Sequence, residues 1–274
     1  MASPEIGRRI VAGGIDTNYH DLGAGPPLVL LHGSGPGVSA WANWRLTLPA
    51  LARSRRVIAP DVVGFGYTDR PAGVRYEKAT WVAHLRDLLD ALDLAQVDLV
   101  GNSFGGGLAL AFADQYPSRV RRLVLMGSLG VRFELTPGLD AVWGYEPSPA
   151  AMRALLDVFA YDPRYATDEL ARARYEASVR PGVHEAYRAM FPAPRQRWAD
   201  ALATDEAALR RLPHPALIVH GRDDRVIPPA NAHRLFALLP HAEMHLFGRC
   251  GHWTQIEHAA RFNALVAAFL DGEG

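Results

Sequence analysis

Short apolar runs that alternate with amphipathic segments constrain the fold of this chain more than any other feature of its sequence. Each run in the first half is bounded by Gly, Pro or Asp, which is typical of strands buried on both faces of a sheet. Between two of these runs, the segment 81–92 places its apolar side chains on one helical stripe. The alternation favours an α/β fold with a mostly parallel sheet flanked by helices. The strands predicted in this half are residues 28–31, 57–59, 97–100 and 123–126.

The alternation lapses in the middle of the chain, where arginines, aromatic residues and prolines replace the short apolar runs. We therefore expect an α/β core made of residues 1–128 and 213–274, interrupted by an inserted helical lid at residues 129–212. The later core elements are predicted as strands at residues 216–220 and 242–247 and as an amphipathic helix near residues 258–270.

The charge balance and the residue counts exclude several classes of partner. The 29 basic residues cancel the 29 acidic ones, so no global charge attracts nucleic acid or an anionic membrane surface. The longest uncharged apolar stretch, residues 99–113, is shorter than the roughly 20 residues that cross a bilayer. Cys250 is the only cysteine, which excludes an intrachain disulfide and suits the reducing cytoplasm. We expect a cytoplasmic protein that binds neither nucleic acid nor a membrane.

A nucleophile candidate lies where a predicted strand meets a helix. Residues 101–105 have the pattern G-x-S-x-G, with an apolar strand before Ser103 and an apolar helix after it. A serine on so sharp a turn has a strained backbone, and small neighbours such as Gly101 and Gly105 let the two segments pass without a clash. Its hydroxyl then projects from the carboxyl edge of the sheet. The alternative interpretation is a glycine-rich turn with a solvated serine.

A serine hydroxyl is a weak nucleophile until a base removes its proton, and in this arrangement the partners follow in the order Ser, acid, His. Two adjacent aspartates, Asp223 and Asp224, directly follow one predicted strand, and His252 follows the next. We predict that Ser103, Asp224 and His252 form a catalytic triad. Asp223 is the alternative acid, because spacing alone does not decide which carboxylate points inward.

The glycine-rich loop at residues 33–37 follows another predicted strand. We expect the backbone N–H groups of Ser34 in this loop and of Phe104 after the nucleophile to form an oxyanion hole. His32 also ends a strand and is the alternative base, although its position favours a role in shaping the loop.

The sequence contains no motif that indicates a cofactor or a metal site. The loop at residues 33–37 lacks the G-x-G-x-x-G spacing of a dinucleotide site, Pro36 interrupts it, and no Walker lysine lies nearby. No HEXXH motif occurs, and Cys250 and His252 alone do not indicate a metal site. We therefore predict no cofactor and no metal.

The loop at residues 32–37 (HGSGPG), the segment 101–106 (GNSFGG) and the segment 250–253 (CGHW) together resemble the meta-cleavage product hydrolases of the α/β-hydrolase fold. Within that family the chain is most similar to 2-hydroxymuconic semialdehyde hydrolases, from residue 18 to residue 270. Gly-x-Ser-x-Gly alone would indicate only the fold, whereas the three segments together indicate a much smaller group of proteins.

The resemblance implies an enzyme of aromatic catabolism that hydrolyses a carbon–carbon bond in 2-hydroxy-6-oxo-hexa-2,4-dienoate-type ring-fission products. The products would be 2-hydroxypenta-2,4-dienoate and a carboxylic acid, and the protein would be a homo-oligomer. The group on the substrate's carbonyl, and the choice between an acyl-enzyme and direct hydration, stay open. The substrate-binding residues that the resemblance implies are Arg180 for the carboxylate, together with Gly35, Asn43, Asn102 and Trp253.

Aromatic side chains of the lid have two interpretations. Trp143 and Phe159 line the variable end of the pocket, or they are simple packing residues. Two other functions use the same triad: a carboxylesterase or cofactor-free perhydrolase, which needs no arginine for a substrate carboxylate, and a ligand receptor with slow turnover.

Overall fold

One sheet carries the fold, and the computed structural model describes residues 3–272 of the chain. The strands run in the spatial order β1-β2-β4-β3-β5-β6-β7-β8. The first two pairings, β1 with β2 and β2 with β4, are antiparallel, and the remaining ones are parallel. Their bounds are β1 Arg8–Ala12, β2 Ile15–Leu22, β3 Pro27–Leu31, β4 Arg56–Pro60, β5 Val97–Asn102, β6 Val120–Met126, β7 Ala216–Gly221 and β8 Ala242–Phe247.

The predicted α/β fold with a mostly parallel sheet is confirmed, and each predicted strand lies within one of β3 to β8. Strands β1 and β2 were missed. They form a hairpin whose turn, Gly13 and Gly14, has positive φ at both positions (56° and 83°), as a two-residue hairpin turn requires. The Gly-Gly pair between two short segments was therefore a sequence signal for this hairpin.

Helices cover the sheet and fill the interruption between β6 and β7. The predicted helical segment 81–92 lies mostly within α3 (Lys78–Ala91), and the helix predicted near residues 258–270 is α13 (Ala259–Asp271). In the sequence, helices α5 to α10 (residues 137–209) lie between β6 and β7, although these two strands pair in the sheet. The predicted interruption is therefore helical, and we call this helical segment the lid. The bounds are α1 Ala40–Trp44, α2 Leu48–Leu51, α3 Lys78–Ala91, α4 Phe104–Gln115, α5 Pro137–Trp143, α6 Pro149–Phe159, α7 Asp168–Ser178, α8 Val183–Met190, α9 Gln196–Leu202, α10 Glu206–Leu209, α11 Pro229–Leu238, α12 Thr254–Glu257 and α13 Ala259–Asp271.

Strand β3 shows why its residues form a buried central strand. Leu28 and Leu30 pack into the core on one face of the sheet, and Val29 and Leu31 pack into the core on the other. All four side chains are fully buried, because successive side chains of a strand point to opposite faces and helices cover both. This explains a continuous apolar run where a half-exposed strand would alternate.

The parallel strands bring their carboxyl ends to one edge of the sheet. Leu31 of β3 pairs with Gly101 of β5, and Asn102 of β5 pairs with Met126 of β6. The loops that follow β3, β5, β7 and β8 therefore meet at this edge, which is where open α/β sheets place their sites. Within residues 3–272, no helix has both the length and the apolar character needed to cross a bilayer.

Candidate active site

Ser103 occupies the strained turn that the sequence predicts. It joins β5 to α4 with φ 55° and ψ −114°, a conformation that non-glycine residues rarely adopt and that costs about 1–3 kcal/mol. A Cβ added to Gly101 would lie 2.4 Å from the Gly105 carbonyl oxygen, and one added to Gly105 would lie 2.3 Å from that of Leu31. Both glycines are therefore required for the chain to pass so closely behind the serine.

His252 and Asp224 form a buried hydrogen-bonded pair. Nδ1 of His252 lies 2.7 Å from Oδ2 of Asp224, and both side chains are almost fully buried. The other carboxylate oxygen of Asp224 accepts the backbone N–H groups of Val226 and Ile227, at 2.7 and 3.0 Å. Because a carboxylate only accepts, His252 donates from Nδ1 and its Nε2 carries the lone pair that a general base needs.

A second histidine, which the sequence analysis missed, also contacts Asp224. Nε2 of His220, at the end of β7, lies 3.2 Å from Oδ2 of Asp224 and 2.9 Å from the carbonyl oxygen of Ile227. Burial opposes ionisation of Asp224, but His252 and His220 together hold the pKa of its carboxyl below the ordinary value. The acid therefore stays ionised. The only signal for His220 was its place at a strand end, four residues before the acid.

Asp223 points elsewhere. Its carboxylate accepts the backbone N–H of Cys250 at 3.3 Å and lies 3.7 Å from the guanidinium of Arg222. It is partly exposed, whereas the side chain of Asp224 is fully buried. The structure thus pairs Asp224, the predicted acid, with His252.

The amides predicted for the oxyanion hole are held in place from two sides. Phe104 begins α4, so its N–H is one of the groups that have no acceptor within the helix, and the described residues provide none for it or for the N–H of Ser34. The lid contacts Ser34 at two atoms: Trp143 donates from Nε1 to its hydroxyl at 2.9 Å, and the hydroxyl of Tyr187 lies 3.0 Å from its carbonyl oxygen. The Tyr187 hydroxyl also lies 2.7 Å from the carbonyl oxygen of Val142, so its one proton is shared between the two acceptors. Trp143 therefore acts through Ser34 and does not line the cavity.

His32 fastens the glycine-rich loop. The backbone N–H of Val62 donates to its Nε2 at 3.0 Å, so its Nδ1 donates to the carbonyl of Gly33 at 2.7 Å. Burial lowers the pKa of His32 to about 4, which keeps the ring neutral in this arrangement. The alternative base therefore has both ring nitrogens in use, in the loop-shaping role.

Next to these residues lies one cavity of about 70 Å³. Ser103 and His252 are both in its wall, and Phe159 of the lid lines it as well, with its ring stacked on Trp253 at a centroid distance of 4.9 Å. The apolar part of the wall comes from both the lid and the core. The lid's other apolar side chains are Leu139, Val142, Met152, Leu156 and Leu170, and those of the core are Pro36, Val38, Ala42, Val226 and Ile256.

The predicted substrate-binding residues divide into two groups. Gly35, Asn43, Asn102 and Trp253 all line the cavity. Asn43 accepts the Gly33 N–H at 3.2 Å, and its buried Nδ2 has no partner among residues 3–272. That nitrogen is therefore a free donor beside the cavity.

Arg180 is not in the cavity wall. Its guanidinium stacks on the Tyr67 ring at 3.8 Å and donates to the carbonyl of Gly66 at 3.0 Å. Two arginines that the sequence analysis missed line the cavity instead, namely Arg45 after α1 and Arg174 on α7. No signal in a single sequence distinguishes them from the many other arginines of this chain.

The two cavity arginines lack a carboxylate partner within the described residues. Arg174 donates to the carbonyl of Pro36 at 3.4 Å, and Arg45 donates to that of Ala42 at 2.7 Å. Burial is the main cause that lowers the pKa of Arg174, and the like charge of Arg45 adds to it. This part of the wall therefore favours an anion.

Within residues 3–272, no group of three or more His, Cys, Asp or Glu residues is arranged to hold a metal ion. Cys250 is fully buried, and burial raises the pKa of its thiol to about 12, so it packs as a small apolar residue beside His252.

Comparison with known proteins places the chain in a family. A profile of the alpha/beta hydrolase fold matches residues 26–259. The chain is 63% identical to 2-hydroxymuconate semialdehyde hydrolase of Pseudomonas sp. (strain CF600), over 98% of this chain and 95% of that protein. It is 62% identical to 2-hydroxy-6-oxo-2,4-heptadienoate hydrolase of Pseudomonas putida, over 98% of each.

Solved structures agree. The meta-cleavage product hydrolase CumD from Pseudomonas fluorescens IP01, complexed with acetates, superposes with a TM-score of 0.98 at 57% identity, over 98% of this chain and 99% of that one. A second match is 2-hydroxy-6-oxo-6-phenylhexa-2,4-dienoate hydrolase from Rhodococcus sp. strain RHA1, with a TM-score of 0.92 at 31% identity, over 97% of this chain and 99% of that one. The chain therefore belongs to the α/β-hydrolase fold family and, within it, to the meta-cleavage product hydrolases.

Proposed function

We propose that this protein hydrolyses the carbon–carbon bond next to the 6-oxo group of 2-hydroxy-6-oxo-hexa-2,4-dienoates, such as 2-hydroxymuconic semialdehyde and its 6-alkyl analogues. With one water, the reaction yields 2-hydroxypenta-2,4-dienoate and a carboxylic acid. One observation carries the proposal: His252, paired with buried Asp224, and the strained Ser103 share a cavity with two arginines that form no ion pair within residues 3–272. An ordinary esterase does not need that positive charge, whereas a dienoate brings a carboxylate to it.

The catalytic roles follow from the hydrogen bonds. The dienol first becomes a keto tautomer, so that the departing carbon is protonated and its electron pair has a conjugated acceptor. His252, oriented by Asp224, then takes a proton from Ser103 or from water as the oxygen attacks the 6-oxo carbon. The free N–H groups of Ser34 and Phe104 stabilise the oxyanion, and losing one such donor typically costs about 3 kcal/mol.

The substrate carboxylate, in this proposal, binds where the cavity offers an unpaired amide donor and positive charge. The donor is Nδ2 of Asn43, and the charge is that of the guanidinium groups of Arg174 and Arg45. The negative charge of Glu5 acts on both arginines. The Glu5 carboxylate accepts a hydrogen bond from the hydroxyl of Ser39 at 2.7 Å. Arg180 stays a prediction for the same role. To bind the carboxylate in the cavity, its guanidinium would have to leave the Tyr67 ring.

The lid supplies the pocket for the group on the substrate's carbonyl. We propose that it comprises residues 129–212, with residues 1–128 and 213–274 as the core. We also propose that the protein is a homo-oligomer, as the resemblance implies, and that it is cytoplasmic and needs no cofactor, as the sequence predicts. Light scattering after gel filtration tests the oligomeric state. A turnover series across semialdehyde, methyl ketone and phenyl ketone substrates measures how large a group the lid accepts.

The central experiment follows the absorbance of a yellow ring-fission product mixed with the protein. We expect rapid loss of colour with the wild type. Ser103→Ala should abolish turnover but still bind the dienoate, since it removes only one oxygen. Unchanged colour alongside rapid turnover of a nitrophenyl ester would instead identify a carboxylesterase.

A further inference from the structure

A buried carboxylate outside the triad joins the catalytic histidine loop to the lid. Glu257, in α12, is only 8% exposed. One of its oxygens accepts the backbone N–H of Gly251 at 2.7 Å, and the other accepts those of Tyr161 and Asp162, both at 2.9 Å. Gly251 immediately precedes His252, whereas Tyr161 and Asp162 belong to the segment that follows lid helix α6.

The two segments touch along their backbones as well. His252 donates its own backbone N–H to the carbonyl of Phe159 at 2.7 Å. A Cβ added to Gly251 would lie 2.5 Å from that same oxygen and 2.8 Å from the nitrogen of Tyr161. The lid end therefore forms one wall against which the histidine loop is seated, and Glu257 closes the contact.

The chemistry of this contact requires a carboxylate. Three N–H donors converge on one side chain, and an ionised carboxylate has only acceptor sites to offer them. A glutamine in its place would present an NH2 group to at least one of these donors. Loss of a partner at a buried donor is costly, so either segment would have to move.

We propose that Glu257 is a positioning residue, which fixes His252 against the lid and so couples lid placement to the geometry of the general base. The inference rests on the proposed function only in taking His252 as that base. It assigns Glu257 no contact with the substrate, and any reaction that uses His252 depends on it equally.

The test compares Glu257→Gln with Glu176→Gln, which removes an exposed charge from lid helix α7. Both variants are assayed with a dienoate and with a nitrophenyl ester, well below their melting temperatures. We expect Glu257→Gln to lower kcat by about tenfold to a hundredfold on both substrates, because small misplacements of a catalytic group have effects of this size. KM should change less than threefold, and Glu176→Gln should match the wild type.

A spectroscopic readout separates positioning from general loss of stability. The proton between His252 and Asp224 should give a downfield NMR signal in the wild type that broadens or shifts in Glu257→Gln, under conditions where the circular dichroism of the two proteins is the same. An unchanged signal with unchanged kcat would overturn the proposal. If the wild type fails to cleave the dienoate, the proposed function fails, while the ester assay and this signal still decide the role of Glu257.

Hydrogen exchange of the wild type serves if the variant does not fold. Because one carboxylate holds the three amides, those of Gly251, Tyr161 and Asp162 should exchange at similar, slow rates through a common opening. Fast exchange at Tyr161 and Asp162 with Gly251 still protected would overturn the coupling.

Discussion

Replacing Asp224 by asparagine tests the reasoning about the triad most directly. The two backbone donors, Val226 and Ile227, hold one oxygen of the side chain, and the amide oxygen of asparagine would keep that place. Its NH2 group would then face His252. Since a donor cannot bond to another donor, the ring would be driven to the tautomer with its proton on Nε2, which cannot accept a proton from Ser103.

Asp224→Asn should lower kcat strongly and the free energy of unfolding only slightly. The same exchange in a serine protease triad, where the geometry is kept and the tautomer is wrong, lowers kcat by about 10⁴, or about 5.5 kcal/mol of transition-state stabilisation. We expect a loss of this order for Asp224→Asn. Because the backbone bonds of the loop survive, the free energy of unfolding should fall by only about 2 kcal/mol.

The neighbouring aspartate provides the matched control. Asp223→Asn changes the same charge one residue away, at a side chain that does not touch His252, and should keep kcat within about threefold. Steady-state absorbance of the dienoate measures kcat, and urea titration measures stability. If Asp224→Asn kept a tenth of the activity, or if Asp223→Asn lost as much, the assignment of the acid would be wrong.

Two further predictions concern the anion-binding wall and acid stability. Arg174→Gln should raise KM for the dienoate by at least tenfold with little effect on a neutral ester. Equal changes for both substrates would show that Arg174 does not bind the substrate carboxylate. Arg180→Gln, assayed in parallel, decides between the two arginines. Acidification from about pH 6.5 to about 4 should lower the free energy of unfolding, since burial lowers the pKa of His32 and of His84 to about 4 and the unfolded chain takes up these protons first. Buried Asp61, whose pKa burial raises to about 6, acts in the opposite sense and offsets part of this loss. Equal urea midpoints at pH 7 and pH 5 would contradict the expected loss of stability.

The N-terminal hairpin shows where pattern reading was insufficient for the fold. Apolar runs bounded by turn residues revealed β3 to β8, because these strands are buried on both faces and their sequences are nearly continuous hydrophobic stretches. Strands β1 and β2 contain many polar and charged side chains, which pair at the antiparallel edge of the sheet. Only the Gly13–Gly14 turn indicates them in the sequence.

At the site, the residues that directly follow strands were predictable from the sequence, whereas the arginines that line the cavity were not. Ser103, Asp224 and His252 each follow a strand, and parallel strands end at one edge, so their meeting is a consequence of local sequence. Which arginine faces the cavity depends instead on how α7 is rotated against the core.

Short segments of the chain are enough to specify the strand-to-helix turn at Ser103, the order of its partners and the family to which the chain belongs, because these depend on glycines that permit strained or close backbones. Three other features emerge only in the folded chain: Arg174 and Arg45 line the cavity, Arg180 stacks on Tyr67, and Glu257 joins the lid to the histidine loop. Each of these contacts joins residues far apart in the chain, and their geometry is set by the packing of whole elements, which no local pattern encodes.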